Sequence, residues 1–324
     1  MSRMTMSAAI ARAQREEMLR DPAVYIMGLD VGPYGGAFGC TRGLWKEFGR
    51  ERVMDMPIAE AGYVGAAVGS AMTGMRPIAE LQFTDWITIA SDMLVNQAAN
   101  MRYTFGGSLS VPMVLRAPVG GYMAAASQHS HMFESWFAFI PGLKVVLPSN
   151  PADAKGLLKS AIRDNNPVLF FEHKKLYDLP GEVPDDPEYL VPLGKANVVR
   201  EGTDVTIATY AYMVELARQA AEILEKDGIH AEIIDLRTIK PMDTETVVRS
   251  VKKTNRLCCL QETWLTCSVA SELSAVVAEQ AIEYLDAPIR RIGALDAPNP
   301  FSAKLENYIL PSVDRIVREI RGMF

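Results

Sequence analysis

Short apolar runs alternate along the chain with stretches whose apolar positions recur every three or four residues. In the first half the runs span 24–29, 77–83, 111–116, 144–148 and 168–172, and helical patterns cover 85–103 and 151–164. The runs are apolar throughout, not alternately apolar and polar, which predicts parallel strands covered on both faces. The second helix has clear start chemistry: Asn150 as cap, Pro151 at the first helical position and Asp153 in the first turn. Ala154, Leu157, Leu158, Ala161 and Ile162 mark its buried face. From Tyr177 to about Leu193 the chain turns rich in Pro, Asp and Glu, the composition of a linker. A second alternating unit follows, with strands at 205–210, 231–236, 257–261 and 289–292. Its helix over 213–226 turns Leu216, Ala217, Ala220, Ile223 and Leu224 inward and stops at Gly228. The pattern predicts an α/β protein of two three-layer α/β/α domains, 1–185 and 203–324, joined by a linker over 186–202.

Composition narrows the function classes. A chain of 324 residues with net charge −6 and no basic stripe is not expected to bind nucleic acid. No run of about 18 apolar residues predicts a membrane span, and the first residues lack the apolar core of a secretion signal. Cys40, Cys258, Cys259 and Cys267 have no metal-ligand spacing; Cys258 and Cys259 sit in an apolar run and read as buried thiols of a reducing compartment. A cytoplasmic location is expected.

One acidic stretch, Met56-Pro57-Ile58-Ala59-Glu60-Ala61-Gly62-Tyr63-Val64-Gly65, places a carboxylate where a turn hands over to a helix. The helix carries Gly62, Gly65, Gly69 and Gly74, and each glycine in a helix interior costs about 1 kcal/mol relative to alanine. That density suggests close packing against another backbone. A plain helix-start carboxylate favoured by the dipole is the simpler alternative. His129 lies at the end of a loop-like stretch from Gly120-Gly121 to Ser127, where a scaffold-held histidine is often functional. His131 reads as an orienting or surface group, and His173 and His230 as structural.

The next motifs occur in order: Glu60-Ala61-Gly62-Tyr63-Val64-Gly65, Arg76-Pro77-Ile78-Ala79-Glu80-Leu81-Gln82-Phe83, Gln128-His129-Ser130-His131, Pro141-Gly142-Leu143-Lys144-Val145-Val146, Ile162-Arg163-Asp164-Asn165-Asn166-Pro167 and Ile234-Asp235-Leu236-Arg237-Thr238-Ile239-Lys240-Pro241. Together they resemble the beta subunit of the thiamine-diphosphate-dependent decarboxylating component of 2-oxo acid dehydrogenase complexes. Pyruvate, branched-chain 2-oxo acid and acetoin dehydrogenases make up that group. The resemblance runs from about Ala8 to Ile320, and the segments at 75–81 and 172–184 look nearest the acetoin branch.

The resemblance implies a transketolase-like pyrimidine-binding domain followed by a transketolase C-terminal-like domain. It implies an oxidoreductase that cleaves a 2-oxo acid or acetoin and passes the acyl unit to a lipoyl group on an acyltransferase core. Glu60 would be the carboxylate that bonds a ring nitrogen of the cofactor's aminopyrimidine, with Ile58, Gln82 and Trp86 beside that ring. For Trp86 a core anchor is the alternative, for Gln82 a polar residue at a strand end, and for Ile58 plain packing. His129 would meet substrate or the incoming lipoyl group. Ala161, Ile162, Asp164 and Asn166 match a helix-end loop that holds a structural potassium ion in relatives; an ordinary polar helix stop reads as well. The chain has no Gly-Asp-Gly and no glycine loop leading into a helix that would cradle a diphosphate; the glycine-rich 32–39 stretch reads as a turn. The diphosphate and magnesium are therefore expected on an alpha subunit, in a two-alpha two-beta assembly. Leu29 stands where many relatives have Glu, which could alter cofactor activation, shift substrate preference or recruit Asp30 instead. A catalytically inactive assembly subunit of the same fold is the alternative that Leu29 favours.

Overall fold

The apolar runs become strands, and their ends fall where backbone hydrogen bonding runs out. The computed structural model describes residues 1–324, which divide into two units: Met1–Val119 with Met132–Leu193, and Gly120–His131 with Gly194–Phe324. The 120–131 segment, which lies within the expected first domain, groups with the second unit by its contacts.

The first unit contains β1 (Ser2–Thr5), β2 (Val24–Gly28), β3 (Val53–Asp55), β4 (Arg76–Glu80), β5 (Val114–Val119), β6 (Lys144–Val146), β7 (Val168–His173) and β8 (Pro180–Val183). Its main strands lie in the order β6–β7–β5–β4–β2–β3, all neighbours parallel. β2, β5 and β7 are buried along their whole length, as strands under two layers of helix must be. β1 and β8 form a separate antiparallel ribbon. β5 begins at Val114, not 111, because Pro112 has no N–H to give, and it continues past the expected end through Pro118. The Pro118 carbonyl accepts from Thr84 Oγ1 at 3.0 Å, so its donorless nitrogen faces the side where pairing with β4 has already stopped at Arg116.

Seven helices belong to this unit: α1 (Met6–Arg20), α2 (Leu44–Phe48), α3 (Glu60–Met72), α4 (Ile87–Asp92), α5 (Met101–Thr104), α6 (Glu134–Ala138) and α7 (Pro151–Arg163). The single helix expected over 85–103 is broken. A 3-10 turn at Thr84–Trp86 precedes α4, a wide π turn occupies Met93–Ala98, and the Asn100 amide donates to the Val95 and Asn96 carbonyls (3.0 and 3.5 Å) ahead of α5. In α3, a Cβ on Gly65 would stand 2.9 Å from Met93 Sδ, whereas Gly69 has nothing within 4 Å. Within this chain the close approach along the helix falls at Gly65, against one methionine side chain.

Helix α7 keeps the predicted cap, with Asn150 Oδ1 accepting from the Asp153 N–H at 2.9 Å, and all five apolar positions named for its inner face are buried. Two of its lysines are buried as well. Lys155 Nζ donates to the Pro184 and Asp186 carbonyls (2.9 and 3.0 Å), and Lys159 Nζ donates to the Pro187 carbonyl and to Glu16 of α1 (2.5 Å). The Pro- and acid-rich segment that reads as a linker is thus a strap lying on α7, and lysine tips close its carbonyls. A carbonyl that accepts from an ammonium makes a stronger bond than one facing a neutral donor.

The second unit contains β9 (Asn197–Arg200), β10 (Val205–Thr209), β11 (Ala231–Asp235), β12 (Thr238–Lys240), β13 (Leu257–Trp264) and β14 (Arg290–Ala294). Its helices are α8 (Met213–Lys226), α9 (Thr244–Thr254), α10 (Val269–Ala281), α11 (Ala303–Ile309) and α12 (Val313–Arg321). The sheet order is β14–β13–β10–β11–β9, with only β9 antiparallel. β9 falls inside the expected 186–202 linker; Gly202 lets the chain pass against the backbone of Ala231 and Glu232, where a Cβ would collide. Leu216, Ala217, Ala220 and Leu224 of α8 pack with Ile316 and Ile320 of α12 over Ile207, Ile233 and Leu260. Cys258 and Cys259 are buried, and burial pushes the Cys259 thiol up to about 12. No helix is long and apolar enough to cross a membrane.

The strap makes one glycine of α7 critical. A Cβ on Gly156 would stand 2.5 Å from Val191 Cγ2 and 2.9 Å from the Tyr189 ring. Gly156→Ala should therefore lower stability by about 1–3 kcal/mol despite alanine's better helix propensity. A melting temperature at or above wild type would show that the strap moves aside freely.

Candidate active site

Parallel strands deliver their carboxyl ends to one edge of the sheet, and ligands of open α/β sheets bind along that edge. Four of the sequence-predicted residues lie on the loops there. After β3 the backbone turns at Met56, whose N–H donates to the Gly28 carbonyl at 2.8 Å, and enters α3 at Glu60. Glu60 is 6% exposed, yet its carboxylate accepts no hydrogen bond from the chain. The adjoining Ile58 is 79% exposed. The carboxylate stands at the positive end of a helix, and its oxygens are not among the buried polar atoms left without a partner, so they open toward solvent and are free to accept a donor. Three residues on, the Tyr63 hydroxyl donates to the Glu80 carbonyl at 3.2 Å. Its pKa is raised, first by burial and then by the Glu60 and Glu80 carboxylates.

The loop after β4 carries Gln82 and Trp86, both half-buried. Phe83 packs edge-on against Trp86 (5.4 Å) and Phe38 (5.8 Å), and Phe38 stacks on Tyr177 (4.8 Å). Gln82 Nε2 donates to Asp30 Oδ2 at 2.9 Å. Asp30 follows Leu29 at the end of β2 with φ 58°, a left-handed conformation that Asp tolerates better than most residues. Leu29 itself offers no acceptor, and its neighbour takes the amide instead.

Behind this edge lies a buried ionic network. Arg116 of β5 makes a two-pronged pair with Glu172 of β7 (Nε–Oε1 and Nη2–Oε2, both 2.6 Å) and meets Glu80 of β4. Tyr177 donates to Glu172 at 2.8 Å, and Gln14 of α1 accepts from Arg116 at 3.4 Å. Two carboxylates thus share one guanidinium. The Glu80 pKa is raised, because burial outweighs the pull of Arg116 and Glu172 adds repulsion. Sequence reading passed over this network, because Arg116 stands in an apolar run and nothing in it marks a partner.

The remaining predicted residues lie elsewhere. His129 sits on a 3-10 turn, Ser127–His129, in the loop that leaves the carboxyl end of β5 and is counted with the second unit. Ala161, Ile162, Asp164 and Asn166 lie at the carboxyl end of α7, which is the amino-terminal edge of the sheet. There Arg76 Nη1 donates to the Ile162 and Asp164 carbonyls (2.9 and 3.0 Å), and the Ala161 carbonyl accepts from the Asp164 N–H (3.2 Å). Burial opposes ionisation of Asp164, but Lys144 and Asn166 outweigh it and hold the pKa below the usual carboxylate range. No cluster of three or more His, Cys, Asp or Glu side chains suits a metal ion.

Fold and edge geometry define an α/β protein of the transketolase class. Residues 2–180 match the transketolase pyrimidine-binding domain and residues 194–316 the transketolase C-terminal domain. The chain belongs to the family of 2-oxo acid dehydrogenase beta subunits, thiamine-dependent oxidoreductase components. It is 47% identical to the 2-oxoisovalerate dehydrogenase subunit beta of Bacillus subtilis (strain 168), covering 100% of this chain and 99% of that one. It is also 47% identical to the acetoin:2,6-dichlorophenolindophenol oxidoreductase subunit beta of Cupriavidus necator (98% and 97% covered). Identity is 46% to the mitochondrial pyruvate dehydrogenase E1 component subunit beta of Dictyostelium discoideum (97% and 89%). These near-equal identities single out no substrate branch. A solved chain described as "Split gene transketolase, inactive beta4 tetramer" shares the fold, with TM-score 0.79 at 24% identity over 99% of this chain and 98% of that one.

The shared guanidinium generates a pH signature. A folded-state pKa raised above the unfolded value of about 4.3 means that folding strengthens proton binding at Glu80. Its contribution to stability is present below that value and is lost as pH rises through the raised one. Glu80→Gln removes the dependence, so the melting temperature of the variant relative to wild type should rise between pH 5 and pH 8. A flat difference, or one that falls, refutes the assignment.

Proposed function

We propose that this chain is the pyrimidine-holding half of an active dehydrogenase that cleaves acetoin or a 2-oxo acid and passes the acyl unit to a lipoyl group on an acyltransferase core. The carrying observation is Glu60, a buried carboxylate with no protein donor at the start of α3. The residues around it suit an aminopyrimidine: an open acceptor at Glu60, an aromatic face at Trp86, an exposed apolar side chain at Ile58, and a fixed amide at Gln82. When bound, thiamine diphosphate supplies a nucleophilic carbon and an electron sink for breaking the bond beside the substrate carbonyl. Glu60 would accept a hydrogen bond from the bound ring and hold the proton shared between them. Trp86 and Ile58 exclude water from the ring faces, and Asp30 stops Gln82 from rotating. His129 orients the substrate oxygen or the incoming lipoyl group.

With no Gly-Asp-Gly and no acidic metal cluster here, the diphosphate and magnesium fall to an alpha subunit, in a two-alpha two-beta assembly. The exposed Ile58 beside Glu60 fits a cofactor shared across that interface. The motifs at 75–81 and 172–184 favour acetoin among the three substrates. A second reading, an inactive assembly subunit, draws on Leu29; the Asp30–Gln82 bond weighs against it, because it supplies the lost polar contact from the next residue. The loop over 161–166 is read as a potassium site, in which the ion uses the second lone pairs of carbonyls that already accept from Arg76.

In the complex with its alpha chain, Glu60→Gln should cut thiamine-dependent decarboxylation by about 100-fold or more while assembly and melting stay unchanged. Normal turnover would remove Glu60 from the chemistry, and an inactive wild-type complex on acetoin, pyruvate and 3-methyl-2-oxobutanoate alike would favour the assembly reading. Replacing choline with potassium at equal ionic strength should raise the melting temperature by a few degrees. Equal melting in both salts would remove the ion.

A further inference from the structure

The loop that carries His129 is held by side chains, not by secondary structure of its own. Glu262, near the end of β13 and 3% exposed, accepts the Gly121 N–H at 2.6 Å. Glu306 of α11, 1% exposed, accepts the Ala124 N–H through Oε2 at 2.8 Å. Its Oε1 takes no hydrogen bond from the protein, and a Cβ on Gly121 would stand 3.1 Å from it and 2.8 Å from Leu310 Cδ1, so a larger residue would have to push both side chains aside. Between the two anchors the Tyr122 hydroxyl donates to the Pro311 carbonyl at 2.7 Å, and the ring packs edge-on against Tyr212 at 5.2 Å. On the far side of His129, Asn299 donates to the Ser130 carbonyl at 3.2 Å, and His131 lies against Trp264 at 5.9 Å.

The backbone so held is strained. Tyr122, Ala124 and Ala126 have φ of 62°, 51° and 63°. Ala126 combines that φ with ψ −171°, a region essentially reserved for glycine. Conformations of this kind persist only where the surroundings over-determine them. Here the restraints are charge-assisted bonds from two carboxylates that are expensive to bury and that reach the backbone five and eight residues before His129. We propose that Glu262 and Glu306 are positioning residues that hold the Gly120–His131 loop in its strained form and thereby set the place of the His129 imidazole; this rests on the reading of His129 as an active-site group. Neither carboxylate touches substrate in this scheme. Their action passes through the loop.

The test uses the complex with the alpha chain and the variants Glu262→Ala, Glu306→Ala, their Gln counterparts, and Ala126→Gly, which relaxes the strain without touching the buried anchors. Hydrogen exchange over 120–131 is measured alongside steady-state turnover. Ala variants should exchange about tenfold faster there and lose about tenfold in kcat with KM little changed, whereas Gln keeps an acceptor and should stay within about threefold of wild type. Ala126→Gly removes the opposing strain with both anchors in place, so it should exchange no faster than wild type over 120–131 and keep its turnover. Glu306→Ala combined with His129→Ala should be no slower than His129→Ala alone, because one effect runs through the other. Unchanged exchange in the Ala variants, or losses that multiply in the double variant, would overturn the positioning role. Full turnover by His129→Ala would sink the reading of His129 itself, and with it this proposal, and would be recognisable because exchange in the anchor variants would still rise.

Discussion

A single buried guanidinium organises the first unit. Arg116 stands in the central strand β5 and binds a carboxylate on each neighbouring strand, Glu80 of β4 and Glu172 of β7, with Gln14 and Tyr177 closing the shell. Removing Arg116 would leave Glu80 and Glu172 buried together without compensation, and breaking a buried pair in this way costs about 3–5 kcal/mol. The network therefore fixes the register of three adjacent strands at the level where their carboxyl ends begin. Gln82 and Trp86 leave β4 two and six residues beyond Glu80, so the place of the candidate cofactor-side groups follows from where that guanidinium sits.

Toward the edge of the sheet the chain trades stability for chemistry. Glu60 has no protein donor, Asp30 adopts a left-handed backbone to reach Gln82, and the loop before His129 is strained at three non-glycine residues. A protein selected for stability alone would remove such features one by one. Four of the eight non-glycine residues with positive φ lie on these loops, and the other four, Ala211, Arg237, Asn255 and Cys267, lie elsewhere in the second unit. Away from that edge the same chain follows ordinary packing rules, as in the α8–α12 core of the second unit.

Much of this was legible in the residues. The apolar runs of β2, β7, β10 and β11 were read to within a residue or two, α8 was read to the residue, and α7 was read with its cap. Glu60, Gln82, Trp86 and His129 were singled out by motif. The misread elements were overridden by side-chain partners that periodicity does not show, some remote in sequence and one, the Asn100 amide, only four and five residues from the carbonyls it binds. The helix expected over 85–103 is broken, with Met93 of its π turn meeting Gly65 and the Asn100 amide capturing carbonyls farther on. The acidic linker lies down because Lys155 and Lys159 accept burial to bind its carbonyls.

What the sequence determined by itself is the set of local commitments: strand-length apolar runs, helix caps, and the residue types that stand at the carboxyl ends of strands. Periodicity and capping act within a few residues, so a linear reading reaches them. What only the tertiary structure decided is which charges meet. That Glu80 and Glu172 share Arg116, that Asp30 takes the Gln82 amide beside Leu29, and that Glu262 and Glu306 grip Gly121 and Ala124 across 141 and 182 residues depends on how the chain folds back on itself. Hydrogen bonds and ion pairs of that span leave no periodic trace, because their energy is set by distance in space and not by separation along the chain.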